Sequence, residues 1–365
     1  MIRTTTVRWI GSVVFVVAAV ALAVFAGQAR SATAAKQASC PAGLNCKVAL
    51  IISDAGLGDK GFNDLGYAGL KSAASQYGVT GSPVQDPQID THCTQDLTAA
   101  AQGGYGLIIN LNYGCQTALE QVAQQFPNVM FVMVDNVATG ANVASEMFDV
   151  QDSSFLAGVA AAMLNKDGNA PQARGKHVLG AIGGVKSPGI DQFLVGYQQG
   201  AQYIDKTERI LIAYANSFAD PSKGAALTNS MFSQGATVVY QVAGVTGLGG
   251  IKAAKQKNLF AIGVDSNQDY LAPGHVLTSS LKRTNTAVYT AVADYVQGKL
   301  KGNTTLTFGL ANNGVGISPM RYTKKLLPAA DLKRLALITR QIETGKIKVW
   351  NVPTQGYPSW FAGGK

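Results

Sequence analysis

Histidine and charge are both scarce in this chain. Only His92, His177 and His275 occur among 365 residues, and none stands at metal-ligand spacing from another candidate ligand. They read as ordinary surface or core side chains, so no metal site is expected. No segment ends in the Gly-Lys-Ser/Thr of a phosphate-binding loop, which excludes a P-loop triphosphatase. No Gly-x-Ser-x-Gly elbow occurs, which excludes the usual strand-to-helix serine nucleophile. Charged residues make up 14% and hydrophobic residues 47%, so the chain is not a disordered acidic or basic tail. Its 41 glycines follow no Gly-X-Y period, which excludes a collagen-like helix and suits tight strand-to-helix turns. The net charge of +9 is spread without a basic run, so no nucleic-acid partner is expected.

One long apolar run is present. Arg3 and Arg8 precede it, it extends from Trp9 to Phe25, and small residues with candidate cleavage points at Ala29, Ala32 and Ala34 follow. That order predicts a secretory signal over residues 1–35. The alternative is an uncleaved anchor, since the run lies near the lower length limit for a spanning helix. The four cysteines, Cys40, Cys46, Cys93 and Cys115, agree with export, because an even count in an oxidising compartment implies disulfides. Cys40 with Cys46 and Cys93 with Cys115 is the favoured pairing. Cys93 and Cys115 each stand near a helix start after a strand, and neighbouring parallel strands would bring them together. The rival is lipidation of Cys40, although Gln37-Ala38-Ser39 is a poor lipobox.

The rest of the chain alternates short apolar runs with helical segments. Strands are predicted at 48–52, 107–109, 129–134, 143–148, 178–182, 210–214, 238–241, 260–264 and 276–279. Helices are predicted at 62–77, 116–125, 153–164, 190–204, from 221, 248–257 and 285–296. Continuous apolar runs suit strands buried on both faces, and the alternation means α/β lobes with doubly wound parallel sheets. Two sets of such units mean two lobes. In open parallel sheets ligands lie beyond the carboxyl ends of the strands.

The residues at those ends are therefore the candidates. In the first half they include Asp54, Asp59, Phe62, Asn63, Asn112, Tyr113 and Asp135; in the second, Phe218, Gly244, Asp265 and Gln268. The set is rich in aromatics, amides and carboxylates and poor in nucleophile–base pairs. It suits a flat, uncharged ligand bearing hydroxyl or N–H donors. Asp54 with Asp59 could be an acid–base pair, or a helix-capping turn. The run Gly244-Val245-Thr246-Gly247-Leu248-Gly249-Gly250 looks like a phosphate cradle but lacks G-x-G-x-x-G spacing. No catalytic residue and no cofactor are expected.

The segment from Asp54 to Asn63, containing Asp59-Lys60-Gly61-Phe62-Asn63, resembles the opening signature of the basic membrane protein family, the purine nucleoside receptors of ABC importers. Phe126-Pro127-Asn128-Val129, Ser154-Phe155-Leu156-Ala157-Gly158 and Ser217-Phe218-Ala219-Asp220-Pro221 resemble further family motifs in the same order, as do Ile262 to Gln268 and Leu277 to Lys282. The likeness covers about residues 47–320.

The resemblance implies a periplasmic-binding-protein fold of type I, with two lobes and a three-segment hinge. The first lobe would hold 36–150 and regain 276–312. The second would hold 151–268 and be completed by 318–350, leaving 351–365 as a tail. The resemblance also implies an exported, periplasmic or cell-surface receptor, a monomer that hands a nucleoside to an ABC permease. It would meet the membrane only through that transporter or an N-terminal anchor. Phe62 and Phe218 would sandwich the base, Asp54 would read its edge with Asn63, Asn112 and Tyr113 nearby, and Asp265, Gly244 and Lys282 would hold the ribose. Lys282 would neutralise Asp265. Three departures stand out: the loop before Phe62 is one residue short, Gly61 replaces a serine, and Asn112-Tyr113 stands where Gly-Phe is common. The alternatives are a same-fold receptor for a sugar or other metabolite, a nucleoside-hydrolysing enzyme, and a ligand sensor.

Overall fold

The computed structural model describes residues 39–364. The expected secretory signal at 1–35 lies outside them. No helix among the described residues is long and apolar enough to cross a membrane.

The first lobe is built by alternation. In chain order it runs β1 (Lys47–Ile51), α1 (Phe62–Tyr77), β2 (Thr80–Val84), α2 (Ile89–Gln102), β3 (Leu107–Asn110), α3 (Gln116–Gln125), β4 (Met130–Val134) and β5 (Val143–Phe148). The second lobe runs α4 (Val150–Asp167), β6 (Val178–Gly183), α5 (Pro188–Ile204), β7 (Arg209–Tyr214), α6 (Pro221–Ser233), β8 (Val238–Val242), α7 (Gly244–Gln256), β9 (Phe260–Asp265) and β10 (Val276–Lys282). Next, α8 (Thr284–Val296) and β11 (Thr304–Phe308) return to the first lobe. The chain finishes in the second with β12 (Val315–Ile317), α9 (Ala329–Glu343) and α10 (Val352–Gln355).

The sheet orders are β11-β5-β4-β3-β1-β2 and β12-β10-β9-β8-β6-β7. All neighbours are parallel except β10 with β12. Both sheets share one winding over their first five strands, with β6 in the role of β1. The order of each reverses beside its first strand, and that switch point is where open α/β sheets bind ligands. The central strands are apolar because helices cover both faces: Val48 to Ile51 and Leu107 to Ile109 are fully buried. Helix α4 is buried almost all round, as a helix apolar on every side must be.

The chain crosses between lobes three times, at Asp149, at Arg283 and over residues 309–314. The strand beginning at Val276 was expected in the first lobe. It instead pairs with β9, Ser279 opposite Gly263, because its seven buried residues need a covered sheet on both sides. The return begins one element later, with α8 packed on α1. The expected tail is also part of the lobe, since α10 packs on α5. The Gln198 side chain donates to the Trp360 carbonyl at 2.8 Å and accepts from the Ala362 N–H at 2.9 Å.

Disulfides join Cys40 to Cys46 and Cys93 to Cys115, with Cα separations of 6.2 and 5.3 Å. The route to the second differs from the expected one. Strands β2 and β3 flank β1 and do not neighbour each other, and α2 crosses over β1 to bring Cys93 to Cys115.

Candidate functional site

The strand ends of the two lobes enclose a cavity of about 330 Å³. Its first wall is the loop before α1, and that loop is internally fastened. The Asp59 carboxylate accepts from the Gly61, Asn63 and Asp64 N–H groups at 2.9, 2.8 and 3.2 Å, so it caps α1. Of the two readings of Asp54 with Asp59, the capping turn is the one formed. Asn63 is fully buried and does not line the cavity, contrary to expectation. Its Oδ1 accepts from the Ser53 N–H and Oγ, and its Nδ2 donates to the Gly56 carbonyl. One step along a helix turns a side chain by about 100°, so Phe62 faces the cleft while Asn63 staples the loop behind it.

Asp54 projects from this loop into the cavity. Burial first, and the nearby Asp90 second, push its carboxyl up to about 6. Asn112 and Tyr113 follow β3. The Asn112 side chain donates to Asp90 at 2.9 Å and accepts from the Gly114 N–H at 2.8 Å.

The second wall brings Phe218, Gly244 and Asp265. The Phe218 ring lies against Gly184, where any Cβ would collide with it. Gly244 opens α7 with φ +54°, beside the Phe218 carbonyl and Ala55 of the first lobe. The glycine run from Gly244 serves packing: Gly249 meets the Pro221 backbone and Gly250 the Gln241 side chain.

Asp265 ends β9 and Asp135 follows β4, both with positive φ, 64° and 69°. They hold matching positions in the two lobes. Lys282 was expected to neutralise Asp265, but its ammonium bonds directly to Asp135. It also lies over three rings, at 4.1 Å from the Phe62 centroid, 5.1 Å from Phe148 and 5.9 Å from Phe193. Burial pushes the Asp265 carboxyl up to about 7. Lys282 pulls it down through space, while Asp59 and Asp135 push it up.

Eight of the nine expected residues line the cavity: Asp54, Phe62, Asn112, Tyr113, Phe218, Gly244, Asp265 and Lys282. Sequence reasoning missed the wall residues Asp90, Phe148, Ile190 and Phe193. Phe148 ends a predicted strand and carried a usable signal. Asp90 sits on the first turn of α2, just ahead of the helix start expected near Cys93, and Ile190 and Phe193 read as ordinary helix residues.

The lobes touch across the cleft. The Lys60 carbonyl accepts from Ser266 Oγ at 2.5 Å and from Gln268 Nε2 at 3.2 Å, and the Tyr113 ring abuts Gly189. Among the described residues no group of three or more His, Cys, Asp or Glu side chains could hold a metal. Carboxylates outnumber the lysine on the walls, so the cavity disfavours an anion. It offers stacking faces and acceptors to a ligand rich in N–H and O–H donors.

Two lobes whose first five strands share one winding, three crossings and a cleft of rings and carboxylates between them define a solute-binding protein of the type I periplasmic fold. The chain belongs to the ABC transporter substrate-binding protein PnrA-like family, whose profile matches residues 46–351. It is 31% identical to the ABC transporter nucleoside-binding protein BmpA of Lactococcus lactis over 80% of this chain and 88% of that protein. It is 30% identical to Basic membrane protein A1 of Borrelia garinii over 74% of this chain and 79% of that one. Among solved structures, a solute-binding protein of an ABC transporter system from Aeropyrum pernix superposes with a TM-score of 0.75 at 28% identity, covering 83% and 93% of the two chains.

Proposed function

We propose that this protein is an exported, monomeric receptor that binds a purine nucleoside in the inter-lobe cleft and presents it to an ABC permease. The observation that carries the reading is the cleft itself: Phe62 and Phe218 reach it from opposite lobes, with carboxylates and one lysine around them. A planar base stacks on such rings at about 1–3 kcal/mol each, and ribose hydroxyls donate to carboxylates. The nucleoside-binding name of the Lactococcus relative supports the ligand class. The Arg-apolar-small order of residues 1–35 and the paired cysteines support export.

Mass spectrometry of ligand co-purifying with the protein, followed by calorimetric titration with purine nucleosides, tests this. The expected result is a bound nucleoside recovered intact. A hexose in its place would move the sugar-receptor reading ahead, and release of free base would mark an enzyme.

A further inference from the structure

Asp90 is a second carboxylate on the first-lobe wall, one the sequence signature did not supply. It sits on the first turn of α2, exposed to solvent, and lines the same cavity as Asp54. Its Oδ1 accepts from Asn112 Nδ2 at 2.9 Å, and its Oδ2 has no hydrogen bond among the described residues. Asp54 and Asp90 both line this cavity on the first-lobe side, and Asp90 pushes the Asp54 carboxyl up electrostatically. The disulfide closes behind them. Cys93 lies one helical turn beyond Asp90, and Cys115 ends the short turn that carries Asn112 and Tyr113. The bond therefore ties together the two segments that meet through the Asp90–Asn112 hydrogen bond.

Resting on the nucleoside reading, we propose that Asp54 and Asp90 together read the edge of the base and select adjacent N–H donors, with the Cys93–Cys115 bond holding Asp90 in place. Ionised carboxylates only accept. Guanine presents a ring N–H beside an amino group, two donors in line. Adenine presents an amino donor beside an unprotonated ring nitrogen, whose lone pair would face a carboxylate oxygen. An acceptor facing an acceptor is left unpaired once the bound base shuts water out, and that penalty supplies the discrimination.

The test is calorimetric titration of guanosine and adenosine into the disulfide-intact protein, Asp90→Asn and the Cys93→Ser/Cys115→Ser double variant, at about pH 8, where carboxylates of ordinary or modestly raised pKa are ionised. The native protein is expected to prefer guanosine by roughly tenfold or more, the scale of one well-placed hydrogen bond. Asp90→Asn retains an oxygen for Asn112 and turns an amide N–H₂ toward the ligand. It is expected to bring the ratio to about one or invert it. The serine pair is expected to reduce the ratio, mainly by weakening guanosine. A native ratio near one, or an unchanged ratio in Asp90→Asn, overturns the proposal while leaving a nucleoside receptor standing. Absence of binding to any purine nucleoside overturns the functional reading and this proposal with it. A serine pair with the native ratio overturns the positioning role of the disulfide; if that pair fails to fold, the Asp90→Asn ratio alone decides the base-reading role.

Discussion

Phe62 and Phe218 are half-buried rings at the edge of a cavity, each beside a turn that holds it there. Phe62→Ala and Phe218→Ala are each expected to weaken purine nucleoside binding by about 1–3 kcal/mol, with the ligand-free melting temperature less affected. Unchanged affinity in both variants, read by calorimetry, would make them packing residues. Asp265 tests the sugar. A carboxylate placed to accept from a hydroxyl loses about 1–3 kcal/mol when that hydroxyl is absent. Removing the 2′-hydroxyl or the whole ribose is therefore expected to weaken binding to the native protein, and less so to Asp265→Asn. Equal affinity for ribonucleoside, 2′-deoxyribonucleoside and free base would remove Asp265 from sugar recognition. Single residues were legible where they directly follow an apolar strand, as Asp54 and Asp265 nearly or exactly do in chain order. Asn63 shows the limit, since its neighbour Phe62 enters the cleft while Asn63 is turned back into its own loop.

At the scale of elements, glycine does more than make turns. Gly158 on α4 approaches the Tyr197 backbone of α5, and Gly196 and Gly200 on α5 approach the Gln151 and Phe155 backbones of α4. The two helices touch main chain to main chain. Gly200→Ala forces a methyl into the Phe155 carbonyl and is expected to destabilise the protein by about 1–3 kcal/mol, measured by denaturant unfolding. A midpoint unchanged from the native one would show that the helices can separate without cost. The Cys93–Cys115 bond, of sequence separation 22, is expected to contribute about 3 kcal/mol on the chain-entropy account. Non-reducing peptide mapping should recover the linked Cys93 and Cys115 peptides; a Cys46–Cys93 peptide would refute the pairing.

The whole molecule is shaped by its cleft. The Lys60 carbonyl with Ser266 and Gln268 joins the lobes outside the three crossing segments, and Lys282, next to the crossing at Arg283, joins them through Asp135. Several carboxyls are pushed up, chiefly by burial: Asp54 and Asp265 in the cleft to about 6 and about 7, Asp152 on the first turn of α4 to about 7, and Glu208, just before β7 at its end away from the cleft, to about 8. Unfolding returns them to the ordinary carboxylate range near 4. Between those limits the folded state binds more protons, so the stability they contribute is present at low pH and lost as pH rises through the folded values. The ligand-free melting temperature is therefore expected to rise as pH falls from about 8 to about 5, and less steeply in Asp265→Asn. Asp86 and Asp205 are held low by hydrogen bonds and act in the opposite sense only under more acid conditions. A flat or reversed profile would count against buried, protonated carboxyls in the folded protein.

The local pattern of the chain determined the strand-and-helix alternation, the two-lobed class and most of the cleft residues. Doubly buried strands must be written as continuous apolar runs, and the polar residues that end them fall at the cleft of any doubly wound sheet. The edge strands β2, β11 and β12 escaped this reading, although the edge strand β7 did not. β2 contains Gly81 and Pro83, and β11 is largely exposed Thr and Leu, since one side of each meets no neighbouring strand. Tertiary structure alone decided which groups meet. Lys282 found Asp135, 147 residues away, in place of Asp265; β10 stayed in the second lobe; and Asp90 reached the wall beside Asp54 through a helix crossing over β1. A charge takes the partner that packing brings within reach of its side chain, and that distance is set by how the lobes assemble, not by the spacing of residues along the chain.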